Sequence, residues 1–254
     1  MNLVSIIIPY YKKKIYIEET LNSAINQTYK ETEIIIIFDD PGNEDLNFLR
    51  EIIKKDARIK LIINDINHGA GKSRNIGIKK SSGDYIAFLD SDDIWLHNKI
   101  ETQLKFMKEN NAVFSHTSYK VLNKDLRYNI RHARDFDYLP DLLKSCDIGL
   151  STVMLKKNLL NYNCEFPSMV SKEDFVLWLK ILQNGVSLKG IDNVLTIWRE
   201  TENSLSSSTY QKMKDGFNVY YKHMNFNFLK SFIYLIYLSI NYIKKSKLII
   251  YIYY

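Results

Sequence analysis

Residues 83–93 read Gly-Asp-Tyr-Ile-Ala-Phe-Leu-Asp-Ser-Asp-Asp, an apolar run that stops in a cluster of acids. A strand over residues 85–89 would deliver Asp90, Ser91, Asp92 and Asp93 at its carboxyl end. The unit recurs upstream. Strand-like residues 4–8 run into Pro9-Tyr10-Tyr11, residues 33–38 into Asp39-Asp40, and residues 59–63 lead to Asn67-His68-Gly69. Between them, residues 16–27, 45–55 and 71–80 carry helical spacing, as in Ile17, Leu21, Ala24 and Ile25. Continuous apolar strands alternating with amphipathic helices predict an α/β fold, with a Rossmann-like, mostly parallel sheet covered by helices on both faces. Further strands are expected over residues 112–119, 152–155 and 194–198, and a helix over 173–183.

The chain has 254 residues, room for one large domain plus an appendage. With 46% hydrophobic and 25% charged residues, nine Gly and four Pro, it is neither collagen-like, low-complexity nor wholly disordered. Two cysteines, Cys146 and Cys164, make no disulfide framework and have no zinc-ligand spacing. The start, Met1-Asn2-Leu3-Val4-Ser5, carries no basic region, and its apolar run stops at Pro9. A chain that stays in the cytoplasm is expected.

The net charge of +6 resides in the tail: residues 211–254 hold seven Lys, no Arg and one acid, Asp215, together with twelve of the 33 aromatics. Lys interleaved with Tyr and Phe suits a bilayer interface. Asn227, Lys230 and Asn241 interrupt the apolar stretch and Lys244 and Lys245 end it, so it is too broken to span a membrane. We expect a domain at residues 1–208 and a helical basic-aromatic tail at 209–254 that lies on an anionic membrane surface. Its structural alternative is a helical pair packed on the domain. Nucleic acid is not an expected partner, since the tail lacks Arg and no helix-turn-helix or RNA-binding pattern occurs.

Ligands of open parallel sheets bind beyond the carboxyl ends of the strands, where all four polar clusters fall. Five carboxylates on one rim call for something positive among them, and a divalent cation carrying the phosphate oxygens of a nucleoside diphosphate meets that need. Each cluster alone could equally be a set of helix caps. Gly71-Lys72-Ser73 invites a P-loop reading, but the required earlier glycine is Ile66.

Six motifs, in order, carry a resemblance: 4–11 (Val-Ser-Ile-Ile-Ile-Pro-Tyr-Tyr), Asn26-Gln27-Thr28-Tyr29, Phe38-Asp39-Asp40, Asn67-His68-Gly69 with Ser73-Arg74-Asn75-Ile76-Gly77, residues 83–93, and Lys172-Glu173-Asp174. Over residues 4–208 the chain resembles the family 2 glycosyltransferases, inverting enzymes of GT-A fold that build bacterial surface polysaccharides. Residues 148–154 and Trp198-Arg199 with Ser204-Leu205-Ser206 resemble the branch that makes lipopolysaccharide or lipooligosaccharide core or capsule.

The resemblance implies roles. Pro9, Asn67 and Gly69 belong to the nucleotide-binding motifs; Tyr11 stacks on uracil, Asp40 reads its ring nitrogen with Asp39 as the adjacent alternative, and Arg74 sits beside the nucleotide. Asp92 holds Mn²⁺ or Mg²⁺, and Asp90 contacts the ribose or the metal through water. Asp174 is the general base and Glu173 orients it. Trp95 is either core or an acceptor-side aromatic, and Arg199 opens a closing loop. Two positions depart from the family pattern: Lys12 replaces its usual Asn, and Thr201 a frequent His.

The implied reaction is metal-dependent transfer of a hexose, glucose or galactose favoured, from a UDP-sugar to an oligosaccharide or lipid-linked glycan acceptor, forming a β-linkage at the cytoplasmic membrane face. N-acetylhexosaminyl transfer is the nearest alternative. A silent nucleotide-sugar-binding scaffold and a nucleotidyltransferase are the other two; the complete acid set argues against the first, and the missing glycine-rich basic start against the second.

Overall fold

The computed structural model describes residues 2–123, 128–160, 164–201 and 209–247. Arg127, the Ser204–Ser206 motif and Tyr251, Tyr253 and Tyr254 lie outside them.

The four strands that end in polar or aromatic clusters are β1 (Val4–Tyr10), β2 (Thr32–Phe38), β3 (Ile59–Ile63) and β4 (Tyr85–Phe88). They pair in the parallel order β3-β2-β1-β4. All seven residues of β1 and of β2 are buried, as a strand covered on both faces requires. Side chains alternate between two cores. Ile7, Ile35, Ile37 and Phe88 join the core beneath α3 (Ala70–Lys80) and α6 (Glu173–Gln183). Ile6, Ile8, Ile34, Ile36 and Ala87 join the one beneath α1 (Lys14–Ile25), α2 (Leu46–Ile52) and α4 (Lys99–Glu109). Each buried Ile or Phe among them contributes roughly 1.5–3 kcal/mol of burial. Gly77 lets α3 lie close on the sheet: a Cβ there would come within 2.7 Å of side-chain atoms of Ile7 and Ile37.

Beyond β4 the nine-stranded sheet is mixed, where the sequence predicts mostly parallel pairing. The short β8 (Met154–Lys156) is antiparallel to β4 and to β6 (Phe114–Leu122), which runs parallel to β9 (Lys189–Arg199). The two-residue β5 (Ile94–Trp95) closes the far edge on β9, and β7 (Tyr128–Arg131) adds to β6. On α6, Trp178 is wholly buried against the rings of Phe88, Phe114 and Phe166, the core position its spacing predicts.

After residues 202–208 come α7 (Thr209–Asn218), a π-helical turn at Val219–His223, and α8 (Phe228–Lys247). The Asp215 carboxylate accepts from the Ser171 backbone N–H at 3.1 Å and its hydroxyl at 2.9 Å. The Tyr220 hydroxyl donates to the Leu143 carbonyl, in α5 (Leu139–Leu143), at 2.6 Å. Leu235 and Leu238 are buried, while the opposite side of α8 exposes Leu229, Phe232, Ile233, Ile236, Ile240 and Ile243. Thus α8 has one packed face and one apolar face open to solvent. Among the described residues no helix is long and apolar enough to cross a membrane.

Candidate active site

Because β1 has β2 on one side and β4 on the other, a crevice opens where their carboxyl ends diverge. Tyr11 stands at its lip, 42% exposed, with the Lys12 ammonium 5.6 Å from its ring centroid. Lys12 has φ 50°, a left-handed conformation that Asn adopts more readily. The departure from the family pattern therefore keeps the turn at some backbone cost. Pro9 is buried within β1 and helps shape the crevice from behind.

The adjacent acids Asp39 and Asp40 have different tasks. Asp39 accepts from the backbone N–H groups of His68 at 2.9 Å and Gly69 at 2.8 Å, and from the Asn64 side chain at 2.7 Å. The Asn67 amide reaches the Asp39 carbonyl, and Gly69 turns at φ 80° into α3. Asp39, Asn67 and Gly69 thus brace one another, and three donors from within the protein already occupy the Asp39 carboxylate. Asp40 is also buried, but its Oδ2 has no hydrogen-bond partner, while Oδ1 accepts from Gly42 at 3.2 Å. A buried acceptor without a donor is costly. Of the two acids, Asp40 is the one with unused capacity to receive an N–H.

The acids after β4 diverge as well. Asp93 points inward, accepting from the Ser151 hydroxyl at 2.5 Å and the Arg199 backbone at 3.1 Å, and burial with Asp92 and Asp90 nearby pushes its carboxyl well up. Ser151 also receives the Asp90 backbone N–H at 3.0 Å, and its carbonyl takes the Trp95 indole N–H at 2.7 Å. Trp95 is 2% exposed and offers no face to an acceptor; it is a core residue. Arg199 is likewise a strut: its guanidinium binds the Asp92 carbonyl and Glu19, and lies over the Tyr16 ring at 4.9 Å. Asp92 points into the crevice, where its Oδ2 meets the Lys13 ammonium at 2.8 Å and the Thr201 hydroxyl at 3.0 Å. Lys13 carries no local pattern that marks it, and Ser151, though within the 148–154 segment, carries none that gives it this role; only the fold brings them here.

Arg74, expected beside the nucleotide, is 4% exposed and engaged on both arms. It binds Asp90 Oδ1 at 2.7 Å and Glu173 Oε1 at 2.6 Å, so it joins the end of β4 to the start of α6 instead of presenting a free guanidinium. Burial opposes its charge, and the two carboxylates outweigh that and raise its pKa. Glu173, expected to orient its neighbour, is held to Arg74. Among the described residues, Asp174 accepts from the Phe175 N–H at 2.7 Å, in the first turn of α6. Desolvation, followed by the Glu173 charge, lifts its pKa to about 7, against the opposing pull of Arg74. Lys172 just before it sits at φ 66°, a strained conformation at the helix entrance.

The acid pair suits a hard divalent cation. Magnesium-type sites take one or two carboxylates and complete the shell with water and substrate phosphates. Asp90 and Asp92 are the residues that would supply that protein share; among the described residues no group of three or more His, Cys, Asp or Glu forms a self-sufficient cage.

The family model for Glycosyl transferase family 2 matches residues 5–169. The chain is 37% identical over 218 residues to the Escherichia coli UDP-Glc:alpha-D-GlcNAc-diphosphoundecaprenol beta-1,3-glucosyltransferase WfgD, covering 85% of each. An uncharacterized glycosyltransferase of Rickettsia bellii is 41% identical over 76% of this chain, but the match spans only 28% of that longer protein. In three dimensions, residues 1–349 of Staphylococcus aureus TarS, solved with UDP-GlcNAc, superpose with a TM-score of 0.73 at 22% identity, over 92% of this chain and 70% of that one. That likeness establishes the GT-A fold.

Proposed function

The chain belongs to glycosyl transferase family 2, and from that premise we propose that it is an inverting hexosyltransferase. It moves glucose or galactose from a UDP-sugar to a hydroxyl of a lipid-linked bacterial surface glycan and leaves a β-linkage. The observation that carries the reading is Asp174, a carboxylate with a pKa near 7 in the first turn of α6, tied through Glu173 and Arg74 to Asp90 of the acid cluster. The name of the E. coli relative supports the donor and the lipid-linked acceptor.

In this reading Tyr11 offers its exposed ring to the uracil and Asp40 Oδ2 accepts the ring N–H, which removes its buried deficit. Asp90 and Asp92 would hold a divalent cation, which when bound offsets the negative charge growing on the departing diphosphate. Asp174 takes the proton from the acceptor hydroxyl as its oxygen attacks the anomeric carbon opposite the leaving group. A base works best with a pKa near the ambient pH, and desolvation raises Asp174 into that range. Residues 1–208 form the transferase unit in this scheme. The tail holds the enzyme on an anionic membrane surface through the open apolar face of α8, bordered by Lys230 and Lys244, at the cytoplasmic side where lipid-linked acceptors are built.

The test is a thermal-shift titration with UDP, ADP and GDP, with and without Mn²⁺, followed by transfer from UDP-glucose to a GlcNAc-diphospho-lipid. Saturation at about 100 times Kd adds roughly 2.7 kcal/mol, a shift of several degrees. A shift confined to UDP is expected; an equal response to all three nucleotides, or to none, refutes the donor assignment.

A further inference from the structure

Lys13 precedes α1 and belongs to none of the motifs that mark the site. Its Nζ lies 2.8 Å from Asp92 Oδ2 and donates to the Thr201 hydroxyl, also at 2.8 Å. Thr201 in turn donates to the same Asp92 oxygen at 3.0 Å, which closes a triangle between chain segments 188 residues apart. Both charged side chains are largely covered, 20% and 17% exposed. The other acids of the cluster have partners of their own: Asp90 has Arg74, and Asp93 has Ser151 and the Arg199 backbone. Asp92 is left to Lys13.

In the donor-site reading a divalent cation binds this same carboxylate. The ammonium could keep one of its lone pairs only with two positive charges held close together, and these repel strongly. A lysine is nonetheless easy to dislodge, being a compact charge on a flexible four-carbon stem. The Thr201 hydroxyl steadies the ammonium, accepting from it at 2.8 Å while donating to Asp92.

We propose that Lys13 is a resident counter-cation of Asp92 which the divalent metal must displace, so that metal enters tightly only together with a diphosphate able to take up the ammonium. This rests on the donor-site reading above. Metal and nucleotide then favour each other's binding, and the coupling runs through Lys13.

The experiment follows free Mn²⁺ by electron paramagnetic resonance during titration of the full chain, with no nucleotide, with UDP and with uridine. Wild type is compared with Lys13→Gln, Lys13→Arg and Thr201→Val. Without nucleotide, Lys13→Gln should bind Mn²⁺ about tenfold more tightly than wild type, a fraction of the full charge repulsion at this range. Lys13→Arg should stay as weak as wild type. UDP, and not uridine, should raise Mn²⁺ affinity in wild type, and that enhancement should shrink in Lys13→Gln. Equal Mn²⁺ affinities for wild type and Lys13→Gln, with UDP still bound, overturn the inference and leave the donor site standing. No uptake of Mn²⁺ or UDP by any of the proteins overturns the donor reading and the inference with it. Should Lys13→Gln fail to fold, Thr201→Val carries the same test, since loosening the ammonium should tighten Mn²⁺ and an unchanged affinity refutes the idea.

Discussion

Replacing Arg74 by Met keeps most of the side-chain volume and removes the one charge that bridges Asp90 and Glu173. In the wild type the guanidinium is 4% exposed, with both carboxylates at 2.6–2.7 Å. Without it, Asp90, Glu173 and Asp174 face one another with Lys172 as the cation left to act on Asp174. Removing one partner of a buried pair costs about 3–5 kcal/mol. At roughly 2–4 °C per kcal/mol for a chain of this size, melting should fall by roughly 10 °C at pH 8. The loss must depend on pH in a definite direction. In the variant the folded-state pKa of Asp90, which burial already raises, climbs further above its unfolded value, so the folded state binds more protons and its stability declines as pH rises. The deficit should therefore be small near pH 4, where unfolded carboxylates begin to ionise, and grow toward pH 8. Differential scanning calorimetry across that range decides it. A deficit independent of pH would show that the guanidinium contributes packing over Phe166, 5.4 Å from its ring centroid, and not charge. No deficit at all would refute the ion bridge.

Three further outcomes are expected. Transfer should require ionised Asp174, so kcat/KM should fall tenfold per unit below a pH of about 7; Asp174→Asn should abolish transfer, retain UDP binding and gain stability above pH 7, because the neutral amide escapes the desolvation that raises the carboxyl. Asp40→Asn should weaken UDP by tenfold or more in calorimetric titration while leaving the unliganded protein at least as stable, since Oδ2 makes no internal bond that the change could break; a large fall in melting temperature without nucleotide would contradict this role. For the tail, Ile233→Glu with Ile236→Glu should release the protein from anionic liposomes with little change in melting temperature, both positions being exposed. Those substitutions are preferable to truncation, because Leu235 and Leu238 on the same helix are buried.

The elements legible in the sequence are those with a clear apolar run or a clear helical spacing. The β3 strand and α6 have the bounds that such a run and spacing predict, and β1 and β2, whose isoleucine runs mark them despite buried Ser5 and Glu33, differ from prediction by a residue or two. Helix α4 escapes notice since its inner face includes Lys99 and Gln103, both fully buried polar residues that pair with each other at 2.5 Å. Strand β9 starts five residues before the apolar stretch that marks it, the polar lead-in being recruited by β6 around a register shift at residues 117–119. In the site, the acids are legible because they follow strands, but the difference between Asp39 and Asp40, or between Asp92 and Asp93, is not. Each pair is chemically identical, and only loop closure over residues 64–69 and the Ser151 hydroxyl separate their tasks.

The sheet is also unevenly knitted. Among the described strands, its parallel block meets the remainder through β8, which pairs with β4 at Tyr85, Ile86 and Ala87 and with β6 at Phe114 and Ser115. So short a ladder is the narrowest join in the strand pairing, and side-chain packing such as that of Trp178 on both Phe88 and Phe114 holds the two blocks together beneath it. The strand-end acids lie in one block and most of β6 and β9 in the other. Amide hydrogens of Met154 and Leu155 should then exchange through a sub-global opening, at a lower free energy than those of β1 or β2, and bound donor nucleotide need not slow the two sets equally.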